Sequence, residues 1–227
     1  MITDKRGFED LKDELRQPFL EYLNRAFQQI PPITNPRILD IGCGSGVPTI
    51  ELARISGGEV TALDIDPEAL QRLRDKVKAA GLEDRITIVK GSLKTMNFPV
   101  ESFDILWSEG SIYVIGFAKG LKTWKKFLKT NEYLVVHDVA VNLEKKITAV
   151  TACGYHLMDW FELREKVWWL NYFEPLQQQI QQIWRSNPTD SELKTALHQA
   201  EQEIEGYHKY PSHYQSVYFV MQYSAQQ

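Results

Sequence analysis

Residues 37–46 read RILDIGCGSG, and this stretch decides the fold. A short apolar run, 37–41, has the length of a buried strand. An acid, Asp40, stands near its end, and Gly42, Gly44 and Gly46 follow at alternating positions. Glycine lets the backbone turn sharply and approach a ligand closely. Between a strand and a helix, such a turn sets a nucleotide against the helix N-terminus. The dinucleotide pattern is G-x-G-x-x-G. Here the third glycine comes one residue early, with Cys43 between the first two, and an acid precedes the first. A carboxylate facing the turn repels a pyrophosphate and suits a ligand carrying an ammonium group.

Working outward, strand and helix signals alternate. A helix is expected over 46–54, with Pro48 in its first turn, then a strand over 59–64. A second helix over 67–79 turns Ala69, Leu70, Leu73 and Val77 inward, and Gly81 lies beyond its end. Strands follow at 85–89, 103–107 and 133–139, with a loop over 91–102 and a helix over 119–128. Such alternation indicates βαβ units and a parallel sheet covered on both faces. Before this core, apolar residues spaced by three and four predict one helix over 8–30, ended by Pro31-Pro32. After it come a helix over 143–153, a strand over 155–163 and an aromatic-rich helix over 166–184, bent near Pro175. The last elements are a helix over 188–205, capped by Thr189 or Asp190, and a strand over 214–222.

The bulk numbers bound the partners. A chain of 227 residues is one domain, expected over 1–227, and buries enough surface to need no staples. Its net charge of −4 argues against nucleic acid as a partner. Lys119, Lys122, Lys126 and Lys129 form a stripe on a predicted helix, read as a solvated face. Cys43 and Cys153 have no metal-ligand spacing, so no metal site is expected, and a reducing cytoplasm fits. The charged N-terminus carries no signal-peptide pattern. No apolar run reaches the roughly 20 residues of a membrane span.

A second signal ends the next strand. Asp64 closes TALD, where a carboxylate can take both hydroxyls of a ribose. Asp66, just before Pro67, reads as a helix N-cap.

At these residues the chain resembles the class I S-adenosylmethionine-dependent methyltransferases, over about 35–140. ILDIGCGSG is similar to their first motif, ALDID to the acidic motif after it, and VKGSLKTMNFPVESFDILWSEG to their adenine loop and fourth strand. The resemblance implies a Rossmann-like, doubly wound α/β sheet of seven strands, mostly parallel, with an antiparallel last strand. It implies S-adenosylmethionine as cofactor. Asp40, Gly42, Cys43, Gly44 and Gly46 would hold the methionine end, Asp64 the ribose, Ile65 the adenine face, and Ser92 and Leu93 its edge. Where the family most often has Gly-Asp at the adenine loop, this chain has Gly91-Ser92.

The segment WSEGSIYVIGFAKG resembles a branch of small methyltransferases with unassigned substrates. It sets Ser108 and Glu109 beside the methionine end. Methyl transfer is an in-line displacement, which asks the site to align nucleophile and methyl and, where needed, to remove a proton. Candidate groups for that role are Glu109, His137 and Tyr113, with Asp138 and His156 also near strand ends. The expected acceptor is a small molecule, bound between Tyr113, the 155–175 segment and the N-terminal helix around Phe19 and Tyr22. In this reading 1–34 and 141–205 are substrate-side elements. The aromatics Trp168, Trp169, Tyr172 and Phe173 line a pocket or pack a helix. The rival readings are an RNA or protein methyltransferase, a nicotinamide oxidoreductase, which the glycine spacing opposes, and a cofactor-binding module without turnover. No motif speaks to oligomeric state.

Overall fold

The computed structural model describes residues 2–224. They form two compact units. The first takes the chain up to Leu20, Val139–Val141 and Glu162–Ser216. The second takes Glu21–Asp138, Asn142–Phe161 and the chain from Val217 onward.

The second unit carries a seven-stranded sheet. Its strands are β1 (Arg37–Ile41), β2 (Glu59–Asp64), β3 (Ile86–Lys90), β4 (Phe103–Glu109), β5 (Leu128–Val139), β6 (Tyr155–Leu163) and β7 (Ser216–Tyr223). They lie in the order β3-β2-β1-β4-β5-β7-β6. The first five are parallel, and β7 slots in antiparallel between β5 and β6. This is the expected α/β arrangement. Strand order reverses between β1 and β4, so a crevice opens beyond their carboxyl ends. In β1 every residue after Arg37 is buried, and in β4 every residue before Glu109. Strands covered on both faces read as continuous apolar runs, which is how both look in the sequence.

Helices α1 (Lys5–Leu15) and α2 (Leu20–Phe27) precede β1, and α3 (Val47–Ser56), α4 (Pro67–Ala80), α5 (Phe117–Trp124) and α6 (Leu143–Ala152) come after β1, β2, β4 and β5 in turn. Local chemistry sets their ends. The Asp66 carboxylate accepts the Glu68 N–H at 2.9 Å and caps α4, and Gly81 closes it at φ 64. Leu70 and Leu73 are fully buried on its inner face, each contributing about 2 kcal/mol. Phe27 of α2 meets Trp107 on one face of the sheet, and Phe117 of α5 meets Phe219 on the other.

The first unit packs α1 with α7 (Glu165–Trp168), α8 (Glu174–Arg185) and α9 (Ser191–Lys209). Its core includes Phe8, Tyr172, Phe173, Leu176, Leu193 and Leu197. Asp190 caps α9 through the Leu193 N–H, which selects between the two expected caps.

Three expectations change. The helix over 8–30 divides at a 3-10 turn, Gln17–Phe19, because Pro18 has no N–H for the Glu14 carbonyl. The bend near Pro175 is a π turn, Trp169–Phe173, joining α7 to α8; Pro175 likewise gives no N–H to Asn171, and Glu174 N–H bonds Trp169 instead. The helix over 119–128 starts at Phe117 and ends at Trp124, and β5 begins at Leu128 instead of Tyr133. The polar run Thr130-Asn131-Glu132 reads as loop. It is accommodated by a register irregularity against β4 and by Asn131 at φ 66. The lysine stripe is therefore not one helix face. Lys129 lies in β5 and pairs with Asp104 at 2.6 Å.

Candidate functional site

The site is built where β1, β2 and β4 end. Asp40 pairs in register with Ala62 on one side and Trp107 on the other. The ladder continues into the turn, where Gly42 and Cys43 donate their N–H groups to the Leu63 carbonyl at 2.8 and 3.0 Å. Gly42, Gly44 and Gly46 take φ 78, 54 and 81. A side chain at Gly42 would strike Ser111, and one at Gly46 would strike Leu73 of α4. At Gly44 a side chain would meet nothing within 4 Å. Two glycines therefore serve packing as well as the turn, and the middle one faces open space.

Three carboxylates surround this turn. Asp40 is 2% exposed and accepts the Thr49 hydroxyl at 2.6 Å. Burial, with Glu109 and Asp64 nearby, pushes its carboxyl up to about 7. Asp64 accepts the N–H of Gly44 at 2.8 Å on one oxygen and of Asp66 at 2.9 Å on the other. Each oxygen keeps a further lone pair. Glu109 accepts the Trp107 indole N–H at 2.7 Å and is hydrogen-bonded by Tyr218. Burial pushes it up to about 7 as well. Among the described residues, no Lys or Arg forms an ion pair with any of the three.

His137 stands opposite Glu109 in the β4–β5 register, with Nδ1 4.0 Å from Oε2. Burial pushes its pKa down to about 3, so the ring is neutral at physiological pH. It stacks on Tyr218 at 4.2 Å. Ser108 and Ser111 share a 2.7 Å hydrogen bond, and Ser111 donates to the Ile41 carbonyl at 2.6 Å, tying the end of β4 to β1.

The other expected residues fall as follows. Ile65 is 64% exposed after β2. Ser92 accepts the Lys94 N–H at 3.2 Å, leaving its own proton to donate, and Leu93 follows it in the loop. Cys43 is buried, which pushes its thiol up and leaves it unreactive. Tyr113 is largely exposed on a 3-10 turn, Ile112–Val114. His156 is exposed on β6, and Asp138 pairs with Lys146. In the first unit, Phe19 rests on Trp168 at 4.4 Å, and Tyr172 and Phe173 belong to the core.

Sequence reasoning missed Thr49, Ser111, Trp107 and Tyr218. Ser111 carries a signal, since SEGS places it three residues after Ser108 at the strand end. Tyr218 carries none, because β7 reaches β5 only through the sheet order.

Residues 38–131 match the family described as methyltransferase domain. Methyltransferase GfsG of Streptomyces halstedii is 26% identical over 141 residues, covering 61% of this chain and 51% of that protein. Protein arginine N-methyltransferase 1 of Schizosaccharomyces pombe is 31% identical over 115 residues, 51% of this chain and 33% of that one. The chain thus spans about half, or less, of these relatives. Among solved structures, the cyclase SpnF superposes with a TM-score of 0.75 at 17% identity, covering 91% of this chain and 81% of its own. An S-adenosylmethionine-dependent methyltransferase of Geobacter sulfurreducens, solved with S-adenosylhomocysteine, gives 0.71 at 18% identity and 89% of both chains. At such identities the likeness is one of fold, and one fold hosts several reactions. With its first-motif turn, its acidic second strand end and residues 38–131 matched to a methyltransferase domain, the chain is similar to the class I S-adenosylmethionine-dependent methyltransferases.

Proposed function

We propose that the chain transfers a methyl group from S-adenosylmethionine to a small-molecule acceptor. The carrying observation is charge. Asp40, Asp64 and Glu109 meet at three adjacent strand ends with no Lys or Arg among them, beside a glycine whose missing side chain leaves open space. The cofactor brings the complement, an ammonium and a sulfonium on a ribosyl adenine.

In this reading Asp40, Glu109 and the Gly42–Gly46 turn, with Cys43 and Ser108, hold the methionine end. Asp64 offers its remaining lone pairs to the ribose hydroxyls. Ile65 gives an apolar face to the adenine, and Ser92 and Leu93 offer a hydroxyl and an amide to its edge. Bound there, the cofactor supplies an already activated methyl. The protein orients the acceptor, excludes water and, through Glu109, accepts a proton. His137 is too weak a base for that task, and Tyr113 too exposed. Residues 35–140 carry the cofactor, and 1–34 and 141–205 select the acceptor. Cys43 and Cys153 are both free and buried, which favours a reducing cytoplasm.

The test is calorimetric binding of S-adenosylhomocysteine to wild type and Asp64→Ala, followed by transfer of a labelled methyl to a metabolite panel. Wild-type binding that weakens tenfold or more in the variant is expected. Equal binding removes Asp64 from the site. Tighter binding of NAD replaces the cofactor, and labelling of peptide or RNA alone replaces the acceptor class.

A further inference from the structure

The surroundings of Glu109 speak to the chemistry of the acceptor; this inference rests on the cofactor reading above. Three side chains face this carboxylate from the three strands β4, β5 and β7. Trp107 donates its indole N–H at 2.7 Å, His137 lies 4.0 Å away, and Tyr218 hydrogen-bonds it through its hydroxyl. On β1, the Asp40 carboxyl is raised in part by the charge of Glu109. The Tyr218 ring is held from both sides. His137 stacks on it at 4.2 Å and 6°, and Phe161 at 5.1 Å and 19°. The Arg25 guanidinium sits over Phe161 at 3.9 Å and closes the stack. The hydroxyl that meets Glu109 is therefore fixed by packing and not by chance of rotamer.

We propose that Glu109 receives a proton from an amine acceptor, with Tyr218 as its positioning residue, so that the substrate of this site is a primary or secondary amine. Charge and proton affinity exclude the other acceptors. A carboxylate or phosphate substrate would enter beside three carboxylates, and among the described residues the side chains that meet Glu109 include no Lys or Arg. An alcohol holds its proton about as tightly as water, beyond the reach of Glu109 or of neutral His137. A phenol ionises near 10, but its product is an anion created beside Asp40 and Glu109. An ammonium also titrates near 10. It arrives as a cation attracted by these groups and becomes neutral on giving up its proton.

The step balances. One ammonium proton passes to a carboxylate oxygen of Glu109. The freed nitrogen lone pair forms the C–N bond to the methyl carbon as the C–S bond breaks. The electron pair stays on sulfur, which becomes neutral, and the positive charge moves to the methylated nitrogen. Glu109 then returns its proton to solvent.

The experiment uses wild type, Glu109→Gln and Tyr218→Phe, which keeps the stacked ring. S-adenosylhomocysteine binding to wild type is measured first, and binding is expected. No binding to wild type overturns the cofactor reading and takes this inference with it. An infrared titration then follows the carboxylic-acid band that Glu109→Gln removes. Loss of the Tyr218 donor should raise the pH at which that band disappears by about half a unit or more, since the hydroxyl favours the ionised form. The acid limb of kcat/KM for amine methylation should move with it. An unmoved band, or labelled methyl appearing on phenols, alcohols or carboxylates and not on amines in a protein that binds S-adenosylhomocysteine, overturns the proposal.

Discussion

The backbone N–H of Gly44 donates to the Asp64 carboxylate at 2.8 Å, tying the turn after β1 to the end of β2. The side chain proposed to hold the ribose thus also shapes the turn proposed to hold the methionine end. Asp64→Asn keeps the shape but turns an amide N–H₂ toward one of its two backbone donors. A hydrogen bond to a charged group contributes roughly 1.5–3 kcal/mol. Urea melts of the variant should show a loss of about 1–3 kcal/mol, and calorimetry a drop in S-adenosylhomocysteine affinity of about tenfold or more. A variant that melts lower but binds as wild type would leave Asp64 a turn residue only.

The three glycines separate by the same logic. Gly46→Ala forces a side chain to 2.1 Å from Leu73 Cδ1 at φ 81, so steric conflict adds to backbone strain. Gly44→Ala meets only the left-handed backbone cost, about 1–2 kcal/mol. Thermal melts should find Gly46→Ala the less stable of the two. Gly44→Ala should stay folded and lose most of its S-adenosylhomocysteine affinity, because the added methyl occupies the open side of the turn. Equal binding by Gly44→Ala and wild type would place the ligand elsewhere.

How much of this was legible in the sequence depends on whether a residue's partner is near in the chain. Asp40, the glycine turn and Asp64 lie on consecutive β–α units, so their spacing carries the site. The Asp66 cap and the Gly81 stop follow from local backbone chemistry. Lys129 was misplaced because strand pairing with β4 overrides the polar look of the 128–132 segment. Tyr218 was invisible because it reaches Glu109 only after β7 inserts between β5 and β6. Phe173 could be read as pocket or as packing, because burial in a core and burial in a pocket leave the same aromatic signature; it lies in the core.

Stability should depend on pH through Asp40 and Glu109. Both carboxyls are pushed up to about 7 in the folded chain, from ordinary values near 4. Between those values the native state binds more protons than the unfolded one, so stability falls as pH rises and levels off above about 7. Each group contributes a slope of roughly 1 kcal/mol per pH unit in that window. Urea melts from pH 4 to 8 should show this decline, and Glu109→Gln should flatten part of it. Binding of S-adenosylhomocysteine, whose ammonium favours ionised carboxylates, should release protons near pH 6, measurable by calorimetry in buffers of different ionisation enthalpy. A flat stability profile would contradict the raised pKa values.

Thr49 donates its hydroxyl to the Asp40 carboxylate at 2.6 Å. Thr49→Val removes the donor and keeps the branched shape. At pH 8 the ionised carboxylate loses a charge-assisted bond, and about 1–3 kcal/mol should disappear from the unfolding free energy. At pH 5 the protonated carboxyl is far cheaper to leave unpaired, so the loss should be smaller. Equal losses at both pH values would show that Thr49 acts through packing alone.

On the opposite face of β5 from His137, Lys146 Nζ meets the Asp138 carboxylate at 2.6 Å, both side chains largely buried. The other carboxylate oxygen of Asp138 is buried without a partner. Such a pair is worth less than the damage done by breaking it. Lys146→Met strands a buried carboxylate and should cost about 3–5 kcal/mol at neutral pH. Adding Asp138→Asn removes the stranded charge, so the double variant should be more stable than Lys146→Met alone. The coupling in a double-mutant cycle should exceed about 1 kcal/mol. Strict additivity at pH 7 would mean that the two groups are held by their separate neighbours, and that the pair itself contributes nothing to the edge of the site.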